Sequence, residues 1–270
     1  MLLALDIGNT NITLGVFAAE ALLHTFRAES RRERTPDECA ALLVQLLALR
    51  CIAPRAISRA VLGSVVPKLT ETWVAALGLA LGREPLVVTH ALDLGITIAV
   101  EQPEQVGVDR LINVAAVRAS ALADLGAPAA GAVLAQGAIV VDLGTATTFD
   151  CLSPSGEFVG GVIAPGIAVG LEGLVSRAAQ LRSVPLAAPE RAVGRSTTEC
   201  LQSGLVFGYA GLVDGLVERL HAELGFPCVA VATGGLAGVV VPHTRTLQRI
   251  EPDLTLHGLR VLHERNTRRS

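Results

Sequence analysis

The stretch Leu2-Leu3-Ala4-Leu5-Asp6-Ile7-Gly8-Asn9-Thr10-Asn11 decides the fold, because a second version of it stands half a chain later as Ala138-Ile139-Val140-Val141-Asp142-Leu143-Gly144-Thr145-Ala146-Thr147-Thr148. Each copy is an apolar run, then Asp-x-Gly-[Asn/Thr], then a second strand-like run: Ile12 to Phe17 in the first, Thr148 to Leu152 in the second. A carboxylate repels a phosphate unless a cation lies between them, and magnesium binds through one or two carboxylates while bridging to phosphate oxygens. Glycine lets the backbone approach an anion closely, successive N–H groups form an anion nest, and the hydroxyls of Thr10 and Thr145 add donors. An aspartate in such a turn serves equally well as a cap for its own N–H groups. Two copies in equivalent places favour the cation-holding reading for Asp6 and Asp142. The pair predicts two related halves with a nucleoside triphosphate cleft between them.

Outward from these turns the pattern repeats. After the first hairpin, Leu22 to Arg27 reads as a third strand. Thr35-Pro36-Asp37-Glu38 is a capping box with proline at the first helical position, opening a helix to about Arg50. Ala60 to Val66 is an apolar strand, Leu69 to Leu81 a helix, Leu86 to Val88 a strand, and Val106 to about Leu122 a helix after the Gly107 turn. The second half gives strands at 138–142, 147–152 and 157–163, helices at Ala168 to Ala179 and Thr197 to Leu220, a strand at Cys228 to Thr233 and a closing helix at Leu254 to Glu264. The order β-β-β-α-β-α, twice over, predicts a duplicated α/β chain. Its expected divisions are an N-terminal domain at 1–118, an Ala/Gly-rich connection at 119–137 and a C-terminal domain at 138–270.

Composition removes several function classes. The 270 residues are 51% hydrophobic and 17% charged, enough to build substantial cores, and the net charge of −3 gives no electrostatic case for nucleic acid. The cluster Arg31, Arg32 and Arg34 reads as solvated surface. Mean hydropathy is +0.52, but charges or prolines interrupt each apolar stretch before about 18 residues, so no membrane span and no signal peptide is expected. Five scattered cysteines with no C-x-x-C or zinc spacing fit a reducing cytoplasm. The single lysine, Lys68, sits between Pro67 and Leu69, so a nucleotide site here is not a Walker loop.

Two further stretches carry candidate chemistry. Thr233-Gly234-Gly235 follows a strand. Paired glycines there would let an adenine ring lie against the backbone, and they equally make a simple strand-to-helix turn. Gly107-Val108-Asp109-Arg110 opens a helix, where Arg110 would pair with an anionic substrate group and Asp109 would take a proton from an attacking hydroxyl. The helix dipole alone also favours an aspartate at this position, and local chemistry gives that plainer reading the advantage.

Asp6-x-Gly-Asn-Thr10, Gly107-Val-Asp-Arg110, Asp142-x-Gly-Thr-Ala-Thr-Thr148, Gly160-Gly-x-Ile-x-Pro-Gly166, Gly194-Arg-Ser-Thr197 and Asp253-Leu-Thr-Leu-His-Gly-Leu259 appear in this order. Together they resemble the type III pantothenate kinases of bacteria, over residues 2 to 266. The resemblance implies paired actin-like, ribonuclease H-like ATPase domains, and ATP-dependent phosphorylation of pantothenate at the start of coenzyme A synthesis. It implies that Asp6, Ile7, Gly8, Asn9, Thr10, Asn11, Ile12 and Thr13 hold ATP phosphates, and that Thr145 touches ATP. It also makes Asp109 the proton acceptor, against the plainer reading that local chemistry favours. Gly107, Val108, Asp109, Arg110, Thr197 and Val100 would line the pantothenate site. Asp142 would hold a monovalent cation, K+ or NH4+; magnesium at Asp6, directly or through water, rests on the turn chemistry above. A cytoplasmic homodimer with the active site near the subunit interface is implied as well.

Two departures from the family pattern bear on the substrate pocket. Val100 stands where many relatives carry an aromatic residue, and Gln180-Leu181 follows Arg177-Ala178-Ala179 where Leu-Pro is usual. One Trp and one Tyr leave little for adenine stacking, so weak nucleotide binding is expected. The competing readings are a non-catalytic transcriptional accessory protein of the same family and another small-molecule kinase of the superfamily. Retention of both Asp109 and Asp142 argues against the first, and the Gly107–Arg110 motif against the second.

Overall fold

The first acidic turn joins β1 (Leu2–Ile7) to β2 (Asn11–Ala18), and the chain returns along β3 (Ala21–Glu29). This computed structural model describes residues 1–124, 136–247 and 249–267. Strand β4 (Arg59–Ser64) runs parallel to β1, and β5 (Leu86–Val87) parallel to β4, giving the sheet order β3-β2-β1-β4-β5. As the central strand, β1 is covered on both faces, which is why Leu2 to Leu5 form an unbroken apolar run. On one face Leu3, Leu5, Ile7 and Leu62 pack with helices α1 (Pro36–Ala48) and α2 (Pro67–Leu81), which contribute Cys39, Leu43, Leu47 and the fully buried Trp73. The Thr35–Glu38 capping box forms as its sequence predicts, and α2 stops at Gly82 in the left-handed region (φ 67). Truncating Trp73 would cost about 3–5 kcal/mol by cavity formation.

On the opposite face of this sheet lies α3 (Val108–Asp124). Asp6 pairs in register with Gly63, and the space above Gly63 is filled by Ile112 and Leu259: a Cβ there would stand 2.5 Å from Ile112 Cδ1. The stretch of α3 around Ile112 therefore lies over the end of β1 that carries Asp6.

The second copy repeats the plan. Strands β7 (Gly137–Leu143), β8 (Ala146–Leu152) and β9 (Glu157–Pro165) form the antiparallel trio. Strand β10 (Cys228–Thr233) runs parallel to β7, and β11 (Arg249–Ile250) parallel to β10. The order β11-β10-β7-β8-β9 mirrors the first sheet, with one addition, β6 (Thr97–Ile98), on the outer edge of β9. Ile139, Val141, Leu143 and Phe149 face a core shared with α4 (Ile167–Arg177) and α5 (Thr197–Leu224). The two-residue strands β6 and β11 and the four-residue helix α6 (Ala237–Val240) have no periodicity to betray them in the sequence.

Contacts group the chain into two units: Met1–Ile96, Glu101–Asp124 and Leu254–Ser270 in one, Thr97–Val100 and Leu125–Asp253 in the other. Sequence order assigns the closing helix α7 (Leu254–Thr267) to the second half. It packs on the first, because its apolar face finds partners there. Leu256 lies over Gly15 of β2, Gly258 touches Ile112 and Ala116 of α3, and His257 meets Phe17 edge-on at 5.5 Å. The expected connection at 119–137 is still helix α3 through Asp124, and 125–135 lies outside the described residues.

Helix α5 is long and apolar enough to cross a bilayer by length and composition, contrary to the expectation that charges would prevent it. Its Leu205, Val206, Ala210, Val213 and Val217 are buried in unit 2. Its buried Asp214 accepts hydrogen bonds from the N–H groups of Arg245 and Thr246, from Thr246 Oγ1 at 2.8 Å and from Arg245 Nε. One face of α5 is thus packed on its unit, and the loop after α6 is tied to its middle.

Candidate active site

Within unit 1, the Gly8 N–H donates to Asn11 O at 3.0 Å and closes the turn. Ser30, just past β3, clamps that turn from outside: its N–H donates to Thr10 O at 2.9 Å and its Oγ to Gly8 O at 2.7 Å. Asn9, Thr10 and Asn11 are exposed at the tip, and Asp6 and Gly8 are half-buried. Ile7 and Ile12 pair across the hairpin with their side chains in the core, so only their backbone atoms can serve a ligand. Thr13 stands opposite Asp6 across the ladder, on the same face.

The Gly107–Arg110 segment begins α3. The Asp109 carboxylate folds back over the backbone: its Oδ1 accepts the Arg110 N–H at 2.8 Å, and a Cβ on residue 107 would stand 2.5 Å from that oxygen. Glycine at 107 is thus what leaves room for the carboxylate. Burial pushes the Asp109 carboxyl above its ordinary range, and the Arg110 N–H bond and guanidinium oppose the rise without cancelling it. A carboxylate so placed is a stronger base than one in water.

Within unit 2 the second turn has the same construction. The Gly144 N–H donates to Ala146 O, and the residue after β9, Gly166, donates its N–H to Thr145 O, both at 3.1 Å. Asp142 is held among glycines. A Cβ at Gly144 would lie 3.3 Å from its Oδ1, and one at Gly234, where φ is +93°, would overlap that oxygen and the Leu143 backbone. Asp142, Thr145 and Gly234 are therefore brought together, and Gly234 has a local reason to be glycine whether or not an adenine lies nearby; exposed Gly235 follows it. Val100 lies against Gly160 of β9, and Thr197 is exposed at the first turn of α5 behind the Ser196 cap.

Sequence reasoning missed two features of these loops. Thr148 pairs with Asp142 across β7 and β8, and its Oγ1 donates to the buried Asp150 at 3.1 Å, so the polar face of unit 2 extends beyond the turn. The alternation Asp142, Thr148, Asp150 on one sheet face was available from the strand register. The other is Arg32, whose Nη2 donates to Asn9 Oδ1 at 3.4 Å.

Among the described residues no group of three or more His, Cys, Asp or Glu is arranged to hold a metal. The candidate cation ligands are the single carboxylates Asp6 and Asp142, hard oxygen donors suited to magnesium or an alkali cation that takes its other oxygens from substrate and water.

Two sheets of matching order, each with an aspartate at the same glycine turn, place the protein in the actin-like ATPase fold class. Solved structures agree on the fold. A protein described as a conserved Baf-family transcriptional activator from Campylobacter jejuni superposes with a TM-score of 0.58 over 98% of this chain and 99% of that one, at 17% identity. The activator of 2-hydroxyisocaproyl-CoA dehydratase from Clostridium difficile, with ADPNP bound, gives 0.55 over 99% and 96%, at 12% identity. Sequence is more specific than fold. The type III pantothenate kinase family profile matches residues 2–219. The type III pantothenate kinase of Moorella thermoacetica is 43% identical over 267 residues, covering 99% of this chain and 100% of the relative. The chain belongs to the type III pantothenate kinase family.

Proposed function

We propose that the protein phosphorylates pantothenate with ATP to give 4′-phosphopantothenate, the entry step of coenzyme A synthesis. The observation that carries this reading is the Asp109 carboxylate, made basic by burial and fitted over Gly107, in a chain that is a full-length relative of this family. The primary hydroxyl of pantothenate attacks the γ-phosphorus and gives its proton to Asp109. The new O–P bond forms as the bond from the β,γ-bridging oxygen breaks, and ADP leaves. Arg110 pairs with the substrate carboxylate. Val108, Val100 and Thr197 complete the contacts to pantothenate. In unit 1 the phosphates lie on residues 6–13, and in unit 2 Thr145 and the Gly234-Gly235 turn contact the nucleotide.

Magnesium at Asp6 and a monovalent cation, K+ or NH4+, at Asp142 would neutralise phosphate charge. The glycines pressed around Asp142 Oδ1 support that role, since they fix the carboxylate in one position. Most of the acceleration would come from positioning and charge neutralisation, as is general for phosphoryl transfer.

We further propose a cytoplasmic homodimer. Unit 2 leaves Ile163, Val169, Leu174 and Val193 exposed, apolar surface that a second copy would cover. Ile163 lies two residues before Pro165, next to the segment that clamps the second turn, which supports an interface close to the active site. Five free thiols suit a reducing compartment.

A coupled ADP-release assay over a small panel of alcohol acceptors tests the reading. Turnover is expected with pantothenate alone and is expected to fall when K+ and NH4+ are replaced by a bulky organic cation. No response to pantothenate would point to a non-catalytic role or another acceptor.

A further inference from the structure

Nothing in the first turn supplies a positive side chain. Residues 6–13 include one carboxylate and no lysine or arginine, and the only lysine of the chain is Lys68, in the first turn of α2. A nucleoside triphosphate carries several negative charges, and phosphate sites ordinarily pair them with a guanidinium or ammonium as well as a metal. The segment after β3 carries three arginines, Arg31, Arg32 and Arg34. Ser30 pins it to the turn through its two bonds to Thr10 O and Gly8 O. Of the arginines that follow, Arg31 is paired with Glu29 at 2.8 Å. Arg34 is half-buried at the start of α1, where its charge favours the ionised forms of Glu38 and Cys39. Arg32 is exposed, and its guanidinium reaches Asn9 Oδ1 at the tip of the turn.

We propose that Arg32 is a nucleotide-binding residue that takes hold of the ATP phosphates at the Asn9 tip. The inference rests on the kinase reading above and adds a ligand contact to it. The bond to Asn9 is long and made between exposed groups, so it is weak. A phosphate oxygen offers the same guanidinium a shorter, charge-assisted and often bidentate partner. Exchanging one for the other requires only side-chain rotation, because Ser30 already fixes the backbone. Arg32 thereby serves the purpose that a Walker lysine serves in an unrelated fold, from a loop on the other side of the hairpin.

The test is MgATP binding to the full chain by titration calorimetry, for wild type, Arg32→Ala and Arg31→Ala, which remove the same charge one residue apart. The Kd of Arg32→Ala is expected to rise about tenfold, the size of one charge-assisted contact. Arg31→Ala should stay within about twofold of wild type. In turnover, Arg32→Ala should raise the KM for ATP and leave the KM for pantothenate unchanged. An Arg32→Ala protein that binds ATP as wild type does overturns the inference and leaves the kinase reading standing. Equal losses in both variants also overturn it, since they would report general charge rather than a contact. If wild type itself bound no ATP, the kinase reading would fall first and this inference with it.

Discussion

Replacing Gly107 with alanine isolates the geometry of the proposed base. The added Cβ would stand 2.5 Å from Asp109 Oδ1, and ordinary contact begins near 3.4 Å, so the carboxylate must retreat by about 0.9 Å. Retreat also stretches its 2.8 Å bond from the Arg110 N–H. A misplacement of about 1 Å at a reacting group costs on the order of 10²-fold in rate, equivalent to about 2.7 kcal/mol of barrier. The backbone itself accepts the change, because Gly107 is not among the glycines with positive φ, and the three atoms nearest the new Cβ are side-chain atoms of Asp109 and Arg110. The assay is steady-state ADP release with both substrates saturating, beside a thermal melt. A fall in kcat of about 10²-fold with Tm held within about 2 °C is expected. A kcat within threefold of wild type would refute the reasoning, and a collapse in Tm would show that the clash reaches the backbone.

Asp109→Asn should abolish turnover while MgATP still binds. Its Tm should hold or rise, because a buried carboxylate with a raised pKa costs stability when ionised, at every pH above that pKa. For the same reason the acid limb of kcat/KM should lie above the ordinary aspartate value of about 3.9, which a pH–rate profile reads directly. Burial alone would raise the Asp214 carboxyl, but the bonds from Thr246 and Arg245 outweigh it and hold it below its ordinary range. Asp214→Ala should therefore destabilise the protein by about 3 kcal/mol, the cost of breaking a buried charged network, seen as a lower denaturation midpoint at neutral pH. The difference from wild type should shrink as pH falls from about 4, the ordinary aspartate value, toward the lower pH at which the native carboxylate takes up its proton and its stabilisation is lost.

Much of this molecule is legible in its sequence because local and global signals agree. The apolar runs before Asp6 and Asp142 read as buried strands, and they lie in the interior of their sheets. The Thr35 capping box marks the start of α1 to the residue. The hidden parts depend on contacts between distant segments. Strands β6 and β11 are too short for a pattern and form only against β9 and β10. Helix α7 shows an amphipathic face, but sequence order suggests the wrong neighbour for it. Arg32 looks like solvated charge until Ser30 is seen to dock on the turn. Trp73 is spent entirely on the core and Tyr209 donates its hydroxyl to Pro165 O at 2.9 Å, so the one Trp and the one Tyr both have structural work.

That α7 closes the first unit has a consequence for biosynthesis. Strand β1 is made well before α7, yet the sheet it belongs to is covered by Leu256 over Gly15 of β2 and Leu259 over Gly63 of β4. Until α7 is made the proposed phosphate-holding turn rests on a half-finished sheet, and docking α7 means closing a loop that runs from Ile7 to Leu254. A nonsense codon ahead of residue 254 would thus disable the amino-terminal half, although every residue of that half through Asp124 had been translated.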